Sequence, residues 1–367
     1  MLEINNGISG ESLDNHDDLN VIPNVLNSAV GQVVETEGRI FSAPEIDLSF
    51  YDLIIVSMSG GKDSIASLLH LIDMGVDMSK VELWHNLVDG NESDTFMDWQ
   101  FMDSYNKQLA KAFKLPLYNS WLKHGFQGEM LKNNSISHEY VVETPDGNII
   151  IPRKRAKVGT RLKFPQQAAD LNVRWCSSAL KIEVGRRAFS NQERFNDTKI
   201  LFVTGERREE SPNRAKYFQL ETHFCDNRNG KKGRLIDAYR PVLEFTERQI
   251  WEILERHNIA PPVPYRLGWS RSSCMTCIYN SPKIWATIKH YFKERIEPIV
   301  GYENQFKTTI SRKKLNVVEI SEGIEPFDVA DMEALAQAMK KEYTLPIFTN
   351  NWQLPLGAFS VEGCGSV

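Results

Sequence analysis

No run of eighteen apolar residues occurs in this 367-residue chain, so no transmembrane helix is expected. Residues 1–20 are polar and acidic and lack the charged-then-apolar layout of a secretory signal, which makes a cytoplasmic location the default. Basic charge is not in excess either. Lys and Arg number 43 against 48 Asp and Glu, a net charge of −5, so any nucleic-acid binding must come from local patches rather than the global field. Cysteines are few and odd in number, at 176, 225, 274, 277 and 364, which argues against a disulfide framework and for metal, redox or nucleophile roles in some of them. No internal repeat is visible. What is present is enough apolar residue, 41%, for one large or two smaller cores.

The most informative segment follows the apolar run Leu53-Ile54-Ile55-Val56. It reads Ser57-Met58-Ser59-Gly60-Gly61-Lys62-Asp63-Ser64, a strand emptying into a glycine-rich turn and then a helix. Two glycines free the backbone so that its N–H groups face an anion, and the helix N-terminus adds partial positive charge. Ser59 and Ser64 offer hydroxyls and Lys62 a cation. The Walker pattern is absent, because no glycine stands five residues before Gly61, six before Lys62.

Strands are expected at 51–57, 81–87, 115–121 and 199–204. Helices are expected at 62–74, 95–113, 177–190, 246–258, 281–300 and 328–342. A hairpin is expected around Pro145-Asp146-Gly147-Asn148. Strands alternating with helices imply βαβ units and a parallel sheet. The chain divides into a lead-in over 1–48, a nucleotide-binding and catalytic domain over 49–300 with an insertion at about 122–173, and a C-terminal extension over 301–367.

Two further constellations stand out. Gly205, Arg207, Glu210, Ser211 and Arg214 follow a strand, where ligands bind in open α/β sheets, and arginine forks there suit phosphate or sulfate. Cys274-Met275-Thr276-Cys277 presents two thiols from one turn, a spacing used by zinc sites, iron–sulfur sites and redox pairs. Two basic segments, Arg153 to Lys163 and Arg228 to Arg234, suit a phosphodiester backbone or a solvated face.

Ser59 to Ser64 resembles the signature of the PP-loop ATP pyrophosphatases, and 205–214 resembles the G-x-R-x-x-E-S-x-x-R element of phosphoadenosine phosphosulfate (PAPS) reductase-like enzymes. The resemblance spans about 50–300. With Cys176 and the C-x-x-C, it comes nearest to the ATP pyrophosphatase components of DNA phosphorothioation systems, of the DndC and SspD type. It implies an adenine nucleotide alpha hydrolase-like fold, a HUP-type PP-loop domain. It implies ATP and Mg²⁺ held by Ser57, Ser59, Gly60, Gly61, Lys62, Asp63, Ser64, Asp89, Gly205, Arg207, Ser211 and Arg214. Lys62, Asp63, Arg207 and Glu210 are the catalytic candidates. Cys176, Cys274 and Cys277 are implied as three ligands of a 4Fe–4S cluster, with Cys225, Cys364 or an open iron in fourth place. The implied partners are a nucleic-acid substrate and a cysteine desulfurase as sulfur donor. Sulfonucleotide reductases in the same family end Glu-Cys-Gly-Leu-His, whereas this chain ends Glu362-Gly363-Cys364-Gly365-Ser366-Val367. A reductase acting through Cys364 is the alternative function.

Overall fold

The computed structural model describes residues 38–43, 45–92, 94–272 and 274–360. Cys364 therefore lies outside the described residues.

Three strands form the middle of the sheet: β1 (Leu53–Ser57), β2 (Val81–Asn86) and β6 (Lys199–Val203). Their residues alternate between two buried faces. Ile54, Val56, Leu83, Leu201 and Val203 join the large core. Ile55, Trp84 and Ile200 join a second core with Phe189, Phe195 and Ile236. A strand buried on both faces reads as an apolar run, which makes β1 and β6 legible in the sequence. The strand β2 reads as one although Glu82 interrupts it, a buried carboxylate held by Arg194.

The remaining strands are β3 (Leu117–Leu122), β4 (Tyr140–Thr144), β5 (Gly147–Ile151), β7 (Leu220–Thr222) and β8 (Leu235–Tyr239). The eight strands lie in the order β5-β4-β3-β2-β1-β6-β8-β7. From β3 to β8 the pairing is parallel. The sheet is mixed rather than wholly parallel, because β4, β5 and β7 pair antiparallel at the two edges. The expected hairpin is the β4–β5 turn. Helices flank the sheet: α1 (Lys62–Asp73), α2 (Met102–Phe113), α3 (Gly125–Met130), α4 (Glu183–Ser190) and α5 (Glu247–Arg256). The expected α/β architecture, a sheet with a parallel centre flanked by helices, is the one observed.

Chain order reverses at β1, which has β2 on one side and β6 on the other. Crevices outside the carboxyl ends of strands form at such switch points, so the loops after β1 and β6 frame the site. Beyond α5 come α6 (Val263–Arg266), α7 (Pro282–Tyr291), α8 (Lys293–Phe306) and α9 (Met332–Ala338). The single helix expected over 281–300 is two, broken at Phe292 where the backbone turns to φ −136° and ψ 52°. Among the described residues no helix is long and apolar enough to cross a membrane.

Candidate active site

The turn after β1 is shaped by its neighbours. Gly60 has φ +76°, and a Cβ there would lie 2.4 Å from the Met102 sulfur, so only glycine fits without displacement. Gly61 caps α1 without a side-chain acceptor. The Tyr265 hydroxyl closes the turn from outside, accepting from Lys62 N at 3.0 Å and Ser272 N at 3.1 Å. Ser59 and Ser64 hydroxyls lie 3.1 Å apart.

Lys62 is buried, and its ammonium lies 3.0 Å from Asp63 and 4.0 Å from Glu247. It also sits over the Tyr265 ring, 5.6 Å from its centroid. Arg207 is buried too. Its Nε donates to Asp63 at 2.5 Å and its Nη1 pairs with Glu209. Burial works against the Asp63 carboxylate, but Lys62 and Arg207 outweigh it and hold its pKa below the ordinary value. Lys62, Asp63 and Arg207 thus form an ion cluster behind the turn, binding α1 to the loop after β6. Gly205 permits that approach: a Cβ there would sit 2.5 Å from the Asp63 carbonyl carbon and oxygen.

Three cavities open along the carboxyl end of the sheet. The smallest, about 100 Å³, lies against Ser57 and Ser59 and is walled by His85, Asn86, Asp98, Lys181, Ser272 and Cys274. The largest, about 420 Å³, carries Cys176, Cys274, Cys277, Lys181 and three arginines, 174, 214 and 271. Val88, Lys181 and Cys274 line both, so the two adjoin at these side chains. The third, about 280 Å³, lies beyond His85 and Asp98.

The thiols reach this cleft by separate routes. Trp175 is anchored in the core against Phe126 and under the Arg161 guanidinium, and it fixes the following Cys176. The C-x-x-C turn is pinned by its middle: Thr276 N donates to the Met97 carbonyl at 3.1 Å, and Asn280 Nδ2 to the Met275 carbonyl at 2.8 Å. Burial pushes the Cys176 thiol up to about 11 and the Cys274 thiol well above its usual value. At neutral pH these are thiols, not thiolates. Burial opposes the Lys181 ammonium, but negative charge on Cys274, Cys176, Asp98 and Cys277, the thiols contributing as they ionise at high pH, more than offsets it and raises its pKa.

The three sequence-predicted thiols share one wall. Even so, among the described residues no three His, Cys, Asp or Glu side chains are arranged to hold a metal ion. A 4Fe–4S cluster would have to take Cys176, Cys274 and Cys277 from that wall, because Cys225 is buried elsewhere, in the second core.

Glu210, Ser211 and Arg214 line the large cavity with the thiols. Glu210 accepts from Arg207 N at 2.8 Å and pairs with Arg214. Asp89 lies in the third cavity, where its Oδ2 accepts from Met97 N at 2.9 Å and Asp98 N at 2.8 Å. Sequence reasoning missed Asp98, Arg271 and Tyr265. Arg271, three residues before the C-x-x-C, was the one with a signal; nothing local marks the other two. The second basic segment is largely internal: Arg228 pairs with Asp226 and Asp237, and buried Arg234 donates to the Phe189 and Cys225 carbonyls. The first leaves Lys154, Arg155, Lys157 and Lys163 exposed.

Residues 134–280 match the profile of the phosphoadenosine phosphosulfate reductase domain. An uncharacterised 37.8 kDa protein from the gpa 5′ region of Escherichia phage 186 is 26% identical over 267 residues, covering 68% of this chain and 74% of that protein. Candida glabrata FMN adenylyltransferase, solved with FAD and pyrophosphate, superposes with TM-score 0.34 and 15% identity, over 80% of this chain and 77% of the other. The same enzyme with FMN and an ATP analogue gives 0.34 and 16%, over 80% and 78%. Overlap that loose is no measure of shared function. The stretch 134–280 is thus similar to a phosphoadenosine phosphosulfate reductase domain, and it supplies the thiols, Lys181 and the arginines of the cleft.

Proposed function

We propose that the chain is a nucleotide-using enzyme of sulfur chemistry. Specifically, it is an ATP pyrophosphatase that activates a nucleic-acid phosphate, the DNA backbone, for sulfur insertion. The observation that carries this reading is the adjacency of the two cavities, one at the Ser59 turn and one with the three thiols and three arginines, which share Lys181 and Cys274. A phosphate oxygen of the acceptor attacks the α-phosphorus of MgATP, and the bond to the β-phosphate breaks. Arg174, Arg214, Arg271 and Lys181 suit the charge that develops on the departing pyrophosphate. The buried Arg174 Nε, which has no hydrogen-bond partner, is a donor ready for it. A sulfur nucleophile then attacks the acceptor phosphorus and AMP leaves. If a persulfide from a cysteine desulfurase brings the sulfur, a second thiol must break the S–S bond, leaving a disulfide. The cleft offers three thiols for that step.

The test is pyrophosphate release from MgATP under anaerobic conditions, with and without duplex DNA. Ser59→Ala and Arg214→Ala should each lower the rate at least tenfold. No release under any condition overturns the reading.

One observation favours the alternative. Phe359 N donates to Glu247 Oε1 at 3.3 Å, and that oxygen lies 4.0 Å from Lys62 Nζ. Cys364 is five residues on, and five residues span at most about 18 Å. In a sulfonucleotide reductase its thiol would attack the sulfonate sulfur, the nucleotide would leave, and a second thiol would release sulfite. Sulfite formation from PAPS or adenylylsulfate with a dithiol reductant, lost in Cys364→Ser, would establish that reading instead.

A further inference from the structure

The cavities that meet at Val88 differ in sign. On one side of the Ser59 turn the wall is net basic, with Arg174, Lys181, Arg214 and Arg271 against Glu206 and Glu210. On the other, Asp89, Asp98 and Asp103 face a space with one cation, Lys341, and apolar walls from Leu87, Trp99 and Met102. His85 and Asp98 stand at the junction, lining both this acidic arm and the small cavity at the turn.

Beside the donors of Lys181, Asn86 and Ser272, the junction holds buried acceptors that none of them satisfies. His85 Nδ1 lies 2.8 Å from the Met58 carbonyl oxygen, which can only accept, so that nitrogen carries the proton. Burial disfavours the charged ring. Nε2 is therefore a bare acceptor, and it is buried with no hydrogen-bond partner, on a residue only 6% exposed. Asp89 Oδ1, in the same arm, is likewise buried and unpartnered. Asp98 is partly exposed, and its Oδ1 accepts from Trp99 N at 2.8 Å. A carboxylate has lone pairs to spare beyond one such bond. Buried acceptors left unpaired are costly, and a ligand that brings donors relieves that cost.

We infer that the acidic arm is the nucleoside subsite, where His85 and Asp98 accept hydrogen bonds from the two free ribose hydroxyls, so that the site takes 3′-hydroxyl nucleotides and rejects 3′-phosphorylated ones. The inference rests on the reading that a nucleotide puts its phosphates at the Ser59 turn. From there the anionic end runs along the basic wall and the uncharged end turns to the acidic one. A 3′-phosphate would instead bring a dianion into an arm that holds three aspartates and one lysine. It offers no donor to His85. This is selection by repulsion as well as by attraction.

Calorimetric titration of the full chain tests it with four probes: AMP, adenosine 3′,5′-bisphosphate, 3′-deoxy-AMP and IMP. The wild type should bind AMP at least tenfold tighter than the bisphosphate and several-fold tighter than 3′-deoxy-AMP. IMP should stay within twofold to threefold of AMP, because the donors are hydroxyls and not the base amine. Asp98→Asn, which keeps an oxygen for Trp99 N, should narrow the AMP-to-bisphosphate gap at least fivefold. Should that variant fail to fold, the wild-type ligand series decides alone. Equal or tighter bisphosphate binding, or a larger loss with IMP than with 3′-deoxy-AMP, overturns the inference while leaving a nucleotide site. If none of the four binds, the nucleotide reading and this inference fall together.

Discussion

Arg207 and Arg214 sit seven residues apart and have the same side chain, yet their surroundings give them different work. In the sequence both suited a phosphate clamp. Arg214 lines the cleft. Arg207 does not: it is 4% exposed and lies between Asp63 and Glu209. No local signal separates the two, because what separates them is Asp63, 144 residues earlier. Removing one partner of a buried ion cluster leaves uncompensated charge. Arg207→Ala should therefore cost about 3–5 kcal/mol of stability, read by urea denaturation. A loss below about 1 kcal/mol, with nucleotide affinity falling sharply, would instead put the guanidinium on the ligand.

At the scale of elements, legibility followed burial pattern. The strands of the sheet's centre read directly from the sequence, as did α5, expected over 246–258; the capping box that Thr246 and Gln249 close at its start is seen only in the structure. The strand β8 did not: in Leu-Ile-Asp-Ala-Tyr the central carboxylate leaves only two apolar residues on either side, and its partners are distant in sequence. Asp237 is wholly buried and accepted there only because Arg228 and Tyr51 hold it. The helix expected from 95 begins at Met102 instead. Its first residues are drawn out of helical pairing: the Asp89 carboxylate takes the Met97 and Asp98 N–H groups, and Arg295 takes the carbonyls of Thr95, Phe96 and Asp98. Periodicity cannot report competition from residues that far away. The glycine of the 205–214 element was legible as a motif, but its physical reason is the backbone contact with α1. Gly205→Ala would press a methyl group on the Asp63 carbonyl and force the two loops apart. It should cost about 1–3 kcal/mol and weaken nucleotide binding. Unchanged Tm and unchanged affinity would show that the loops shift freely.

Across the whole molecule, a net charge of −5 conceals a cleft divided into basic and acidic arms, and burying the acidic arm has a thermodynamic signature. Burial, with the nearby Asp98 charge adding to it, raises the Asp89 carboxyl from its ordinary 3.8 to about 6. Between those two values the folded chain holds a proton that the unfolded chain has lost. Stability through this group is therefore greatest below about pH 4 and falls as pH rises to about 6, by up to about 3 kcal/mol. Asp98, Asp237 and Glu303 are raised and add in the same sense, whereas Asp63, Asp73 and Asp331 are lowered and oppose it. The group is isolated by comparing wild type with Asp89→Asn in urea at pH 4.5 and pH 7. Asn keeps an oxygen for the Met97 and Asp98 N–H groups but cannot ionise. Relative to the variant, the wild type should lose stability on going to pH 7. A difference that stays flat would mean that Asp89 ionises in the folded chain as it does in water, and that the arm is wetter than its walls imply.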